Sequence, residues 1–174
     1  MAALTVLIVV ESSFGNTMAV ADALAAALRS STGQDDVTVV QTDDAPVVLP
    51  PGVDLLLVGA PTHAFTLPTP KSREQAARKG AFATTKVGVR EWIEQLAPRP
   101  DLPVQTFDTS IRMRLSLGCA AKAACRLLVR RGFAAAERGP SFYVTDTAGP
   151  LADGERQRAG DWAEQLAARR LQPR

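Results

Sequence analysis

One stretch constrains this chain more than any other. The run Leu4-Thr5-Val6-Leu7-Ile8-Val9-Val10 is apolar on both faces and rich in β-branched residues. A strand of that kind belongs in the middle of a parallel sheet, covered above and below. Glu11-Ser12-Ser13-Phe14-Gly15-Asn16-Thr17 follows at once. Then comes a helical period, with Val20, Leu24 and Leu28 on one face and Ala21 and Ala25 beside them. The middle segment is therefore a short polar turn from a buried strand into a helix. Such a turn aims backbone N–H groups and the positive end of the helix dipole at one point, which suits a phosphate.

The remaining chain repeats the alternation. Residues 37–40, 54–58, 104–107 and 142–145 read as four further strands, and 54–58 is again apolar almost throughout. The first helix runs from 16 or 17 to 29, with 30–33 breaking it and Gly33 as its stop. Val89, Trp92, Ile93 and Leu96 mark a helix that ends before Pro98. Residues 119–131 form an Ala-rich helix, and 155–171 form the last one, packed on Trp162 and Leu166. Residues 42–52 are a loop. Residues 66–86 are irregular, with a charged stretch, 71–80, able to carry a short surface helix. A connection this long is expected to cover something. Five strands alternating with helices call for a parallel sheet with helices on both faces and right-handed crossovers. In such folds ligands sit beyond the carboxyl ends of the strands, where the strand order reverses. The turn after strand one and the loops 59–65 and 108–118 all lie at that edge.

Composition narrows the class. The chain has 174 residues, 46% of them apolar and 22% charged, which suits one globular domain over 1–174 with a full core. Net charge is +2 and the cations are scattered, so nothing argues for nucleic acid. The first apolar run has no basic leader and is too short to span a bilayer, so neither a signal segment nor a membrane partner is expected. Cys119 and Cys125 make neither a CxxC pair nor a zinc pattern, which suits a reduced, cytoplasmic protein. The Ala- and Arg-rich composition is associated with GC-rich bacteria.

Ser12-Ser13-Phe14-Gly15-Asn16-Thr17, directly after a first strand, resembles the FMN-phosphate loop of flavodoxins, Thr/Ser-x-Thr-Gly-x-Thr. Val58-Gly59-Ala60-Pro61-Thr62-His63, after strand three, looks like the family's second flavin loop. The resemblance covers nearly the whole chain in element order, and is nearest to a flavodoxin-like bacterial group with the signatures E-S-x-F-G-N-T and G-x-P-T-H-A-F. It implies a three-layer α/β sandwich, a five-stranded parallel sheet in the order 2-1-3-4-5, and FMN as cofactor. Ser12, Ser13, Gly15, Asn16 and Thr17 would hold the phosphate, with Phe14 offering only its backbone N–H. Pro61, Thr62, His63, Ala64 and Phe65 would line the ring, and Thr109 and Ser110 would close its other side. No metal and no acid–base catalyst is implied.

The chain departs from the family in three places. Phe14 replaces a hydroxyl residue, His63 stands where many flavodoxins have tryptophan, and the third loop lacks tyrosine. The chain is also slightly basic where flavodoxins are acidic. The implied role is electron transfer to a redox partner protein or a small-molecule acceptor, by a monomer or homodimer. The alternatives are an FMN-dependent NAD(P)H:quinone-type reductase with 66–86 as its lid, or a module of this fold without flavin.

Several side chains carry two readings. Cys119 starts a helix, whose dipole would lower its thiol pKa, or is a small buried residue. Lys71, Arg73, Arg112 and Arg114 are solvated, or they face the flavin or an anionic partner and make the flavin easier to reduce. Glu11 is expected to accept from the amides of its own loop. Trp92 and Trp162 are expected in the core. A phosphorylated receiver is excluded, because strand three ends in Gly59-Ala60-Pro61 with no aspartate nucleophile.

Overall fold

The computed structural model describes residues 4–32 and 36–171. Five parallel strands form one sheet: β1 (Thr5–Val10), β2 (Asp36–Gln41), β3 (Leu55–Pro61), β4 (Val104–Ile111) and β5 (Ala136–Val144). Their order is β2-β1-β3-β4-β5, as the resemblance implies. Five helices connect them: α1 (Asn16–Thr32), α2 (Pro70–Arg78), α3 (Val89–Gln95), α4 (Ala120–Arg131) and α5 (Glu155–Leu171). The strands are covered on both faces because side chains alternate along them. Val6, Ile8, Val10, Leu55 and Leu57 pack with Val20, Leu24 and Leu28 of α1 and with Ala159, Ala163 and Leu166 of α5. Leu7, Val9, Leu56 and Val58 pack the other way, with Trp92 and Ile93 of α3 and Ala120, Ala124 and Leu128 of α4.

Trp92 is fully buried, whereas Trp162 is half-buried beside the rings of Phe107 and Phe142, 6.2 and 6.1 Å away. The neighbouring Gly59 is required by close approach. A Cβ there would run into Phe107 Cζ, a hard clash with the tip of the ring. Gly59→Ala is therefore expected to cost about 2 kcal/mol or more by overpacking, read as a lowered urea midpoint at unchanged slope. A shift equivalent to under about 0.5 kcal/mol would show that Phe107 can repack freely.

Several boundaries differ from the sequence expectation. Helix α1 continues through Ser30, Ser31 and Thr32, where Ser30 and Ser31 donate their hydroxyls to the carbonyls of Ala26 and Ala27. Gly33 lies outside the described residues. Strand β3 runs on through Gly59, Ala60 and Pro61, and β4 through Asp108, Thr109, Ser110 and Ile111, so these are strand residues and not loop. The two extensions support each other, since Ala60 pairs with Asp108 and Pro61 with Thr109. On the far side, Ser110 pairs with Tyr143 and Ile111 with Val144, within a β5 that starts six residues before the expected 142. The charged stretch does form a helix. Pro70 opens α2, and Thr69 and Ser72 cap it reciprocally.

The chain leaves β1 for β2 on one side and returns to β3 on the other. A crevice opens at the carboxyl ends where the direction reverses.

Candidate functional site

The crevice is a cleft of about 280 Å³. Its floor is the turn from β1 into α1. Glu11 N–H still belongs to the sheet, donating to the Gly59 carbonyl at 2.9 Å. Gly15 then takes φ +83°, which a side chain would resist. Among the described residues, the backbone N–H groups of Ser13, Phe14, Gly15, Asn16 and Thr17 donate to no protein atom. They belong to the turn and to the first residues of α1, where N–H groups have no intrahelical partner, and all but Gly15 belong to residues that line the cleft.

The side chains of the turn brace it. Thr17 Oγ1 lies 2.8 Å from Thr109 Oγ1 on β4, and Ser12 Oγ receives Met18 N–H at 3.5 Å. Asn16 Nδ2 donates to the Ala148 carbonyl at 3.2 Å, which ties the loop after β5 to α1. Phe82 and Ala83 N–H groups both donate to the Ser13 carbonyl at 3.2 Å, which ties down the segment after α2.

The end of β3 builds the second wall. Thr62 N–H donates to the Thr109 carbonyl at 2.8 Å, and its Oγ1 accepts Ala120 N–H at the start of α4 at 2.9 Å. His63 pairs its backbone with Thr66, and the chain between them turns through left-handed Ala64 (φ +46°) and Phe65 (φ +66°). Two successive non-glycine residues in that region store strain of order 1 kcal/mol each, a feature that clusters at ligand sites.

Helix α2 and its cap build the third wall, with Ser72, Gln75, Ala76 and the capping Lys79 on the cleft. The spacing 72, 75, 76, 79 is one helical face. That period was available in the sequence, but Lys71 and Arg73 stood out instead by charge. Ile111, Val144 and Thr147 complete the lining.

Of the residues the resemblance points to, Ser12, Ser13, Phe14, Asn16, Thr17, Pro61, Thr62, His63, Ala64, Thr109 and Ser110 line this cleft. Gly15 shapes the turn without lining the cleft, with Phe82 above it. Phe65 does not line it either: it is 39% exposed, with its carbonyl against Gly118.

His63 Nδ1 lies 2.9 Å from Ser72 Oγ, which also accepts Thr69 N–H. Burial disfavours the imidazolium, and the cations of Arg73 and Lys79 add to this, so the His63 pKa lies below 6.5. Between that folded value and 6.5 the unfolded chain holds more protons. The His63 contribution to stability is thus fully present above pH 6.5 and is lost as pH falls through the folded value. His63→Gln is expected to flatten the pH dependence of the urea midpoint between about pH 5 and 7. An unchanged slope would contradict the assignment.

Behind the cleft lies a buried charge network. Glu11 does not accept from its own loop. Its carboxylate accepts Val89 N–H at 2.8 Å, at the start of α3, and Arg73 Nη1 at 3.3 Å. Arg73 Nη2 meets Glu91 at 3.1 Å, and Glu91 accepts Gly88 N–H at 2.8 Å. Arg73 is thus buried away from the cleft, because α2 turns it under the helix toward Glu11. Desolvation raises the Glu11 pKa above the ordinary carboxylate value, despite the bonds from Val89 and Arg73. At Glu91 desolvation acts the same way, but the bond from Arg73 and the backbone donors outweigh it and hold the pKa low.

Two further expectations change. Cys119 does precede α4, but it is buried, and burial together with the neighbouring Asp108 carboxylate raises its thiol pKa. The dipole expectation is therefore overturned. Arg112 stacks over the Tyr143 ring, 4.4 Å from its centroid. Among the described residues, no group of His, Cys, Asp and Glu could hold a metal ion, and no helix is long and apolar enough to cross a membrane.

No family model matches the chain, and no curated protein does. Solved structures do. The chain is similar to oxidised flavodoxin 2 from Bacillus cereus, with 17% identity over 96% of this chain and 99% of that one, at a TM-score of 0.65. It is similar to an archaeal flavodoxin at 15% identity, covering 95% and 98%, with a TM-score of 0.63. It is also similar to an azoreductase from Bacillus anthracis at 10% identity, covering 95% and 99%, with a TM-score of 0.56. Strand order, helix placement and near-complete coverage agree, and the chain has the flavodoxin-like α/β fold.

Proposed function

We propose that this chain binds FMN in the cleft and acts as an electron-transfer protein. The observation that carries the reading is the run of five N–H groups that, among the described residues, have no protein acceptor, in the turn whose Ser12, Ser13, Phe14, Asn16 and Thr17 line the cleft. A phosphate dianion is the group such donors stabilise best, by charge-assisted hydrogen bonds and the helix dipole. The hydroxyls of Ser12, Ser13 and Thr17 add neutral donors beside it. Pro61, Thr62, His63 and Ala64 on one side, with Thr109 and Ser110 on the other, would hold the ring. The flavin, when bound, supplies one- or two-electron chemistry. The chain's part is to orient it, limit water and set the local charge. Lys79 gives the cleft a cation of its own, while Arg73 is neutralised by Glu11 and Glu91. Lys79 would favour a negatively charged reduced ring, and so a less negative potential.

The test is direct. Desalted protein is titrated with FMN, and binding is followed by quenching of flavin fluorescence and by the visible spectrum. Saturable binding in the micromolar range or below is expected, together with a raised melting temperature. Absence of both would leave only a flavin-free module of the same fold.

A further inference from the structure

An apolar loop that nothing in the fold covers runs on from the cleft, starting at Ile111, which lines it. Residues 111–117 are seven consecutive exposed residues, reading Ile111-Arg112-Met113-Arg114-Leu115-Ser116-Leu117. Leu115 and Leu117 are each 77% exposed. Phe82 is also 77% exposed and stands over Gly15, while Phe65 abuts Gly118 at the base of the same loop. An apolar rim of this kind marks an interaction surface.

Charge says what kind of surface it meets. Arg112 and Arg114 alternate with the apolar residues, Lys79 lines the cleft just after α2, and Lys71 lies in the first turn of α2. Among the described residues none of these four forms an ion pair. The nearby carboxylates are mostly engaged. Glu74 is held by Arg78 at 2.6 Å, Glu155 pairs with Arg158 and also feels Arg112, and Asp146 Oδ1 caps Thr147 N–H. The apolar groups stand singly on a projecting loop and not in a groove. A lipid interface accepts such side chains one by one, without a shaped partner, and an anionic surface adds attraction for each cation.

We propose that this rim seats the mouth of the cleft on an anionic bilayer surface. The contact is peripheral, so the lack of a spanning segment does not oppose it. It replaces the expectation of no membrane partner, which rested on that lack. The proposal does not depend on flavin.

The experiment is co-sedimentation of the full chain with phosphatidylcholine vesicles, with and without phosphatidylglycerol at about one lipid in three. Affinity for the anionic vesicles is expected to exceed that for neutral ones by about tenfold or more, and to fall as salt is raised. Leu115→Glu/Leu117→Glu is expected to abolish the difference without changing the melting temperature. Val48→Glu, at an exposed apolar position in the loop beside α3, is expected to leave it intact. Three results would overturn the proposal: no preference for anionic vesicles, equal loss in the Val48 variant, or a dimer in light scattering that the leucine variant dissociates while vesicle binding is absent throughout.

Discussion

Arg73→Met is expected to lower the unfolding free energy by about 3–5 kcal/mol. Arg73 is 5% exposed and Glu11 is 1% exposed, so neither charge can turn to water when the other is removed. Methionine fills similar space, so the loss measures charge more than volume. What remains is a buried carboxylate whose proton affinity is already raised by desolvation. Its easiest escape is to protonate. The folded pKa of Glu11 then rises further, and the variant recovers stability as pH falls toward that value. Two companions separate charge from packing. Arg73→Lys keeps the charge but lacks the planar fork that reaches Glu11 and Glu91 together, so it should recover only part of the loss. Glu11→Gln in the Arg73→Met background should recover stability and remove the added pH dependence. Urea denaturation at several pH values reads all of this. A loss below about 1 kcal/mol would place the pair among weak surface contacts and refute the reading. The same variant should weaken ligand binding, because Arg73 anchors the helix that carries Ser72, Gln75 and Lys79 to the cleft.

FMN is expected to bind at least about 100-fold more tightly than riboflavin, a difference of about 2.7 kcal/mol. The two ligands share the ring and differ at the phosphate. Hydrogen bonds to charged groups contribute about 1.5–3 kcal/mol each in net terms, so engaging even two of the five open N–H groups would reach this figure. The alternative source of a phosphate effect is simple attraction by Lys79 across the cleft. Salt distinguishes them. Attraction between exposed charges is screened over about 10 Å at 0.1 M salt, while short hydrogen bonds at the helix start persist. The FMN preference should therefore survive high salt. Equal affinities for FMN and riboflavin would show that the ligand does not use the start of α1, even if the ring still binds.

The parts of this molecule that were legible in sequence are those governed by short-range rules. The β1–turn–α1 unit announces itself by an apolar run, a polar turn around a glycine and a 3.6-residue period, each a property of neighbouring residues. The alternation of such units implied the parallel sheet, and with it the edge that carries the cleft. The carboxyl halves of β3 and β4 were not legible, because Asp108, Thr109 and Ser110 look like loop residues. Distant groups meet two of them inside the sheet, although Asp108 Oδ1 stays buried without a partner among the described residues. Asp108 receives Ala121 N–H at 3.0 Å, and Thr109 meets Thr17.

Arg73 and Cys119 show the same limit in their electrostatics. Within its own segment Arg73 belongs to a solvated charge run, and Cys119 belongs to a helix start that should favour a thiolate. Tertiary structure reversed both. Glu11, 62 residues from Arg73 along the chain, turns that cation into a buried strut, and desolvation beside Asp108 overrides the dipole at Cys119. Sequence alone located the turn into the first helix, since a helix start carries its own open donors. Which polar side chains face the cleft and which brace it from behind was decided by folding, because the energy of a buried charge or hydroxyl depends on the water it loses and on partners the chain brings from far away.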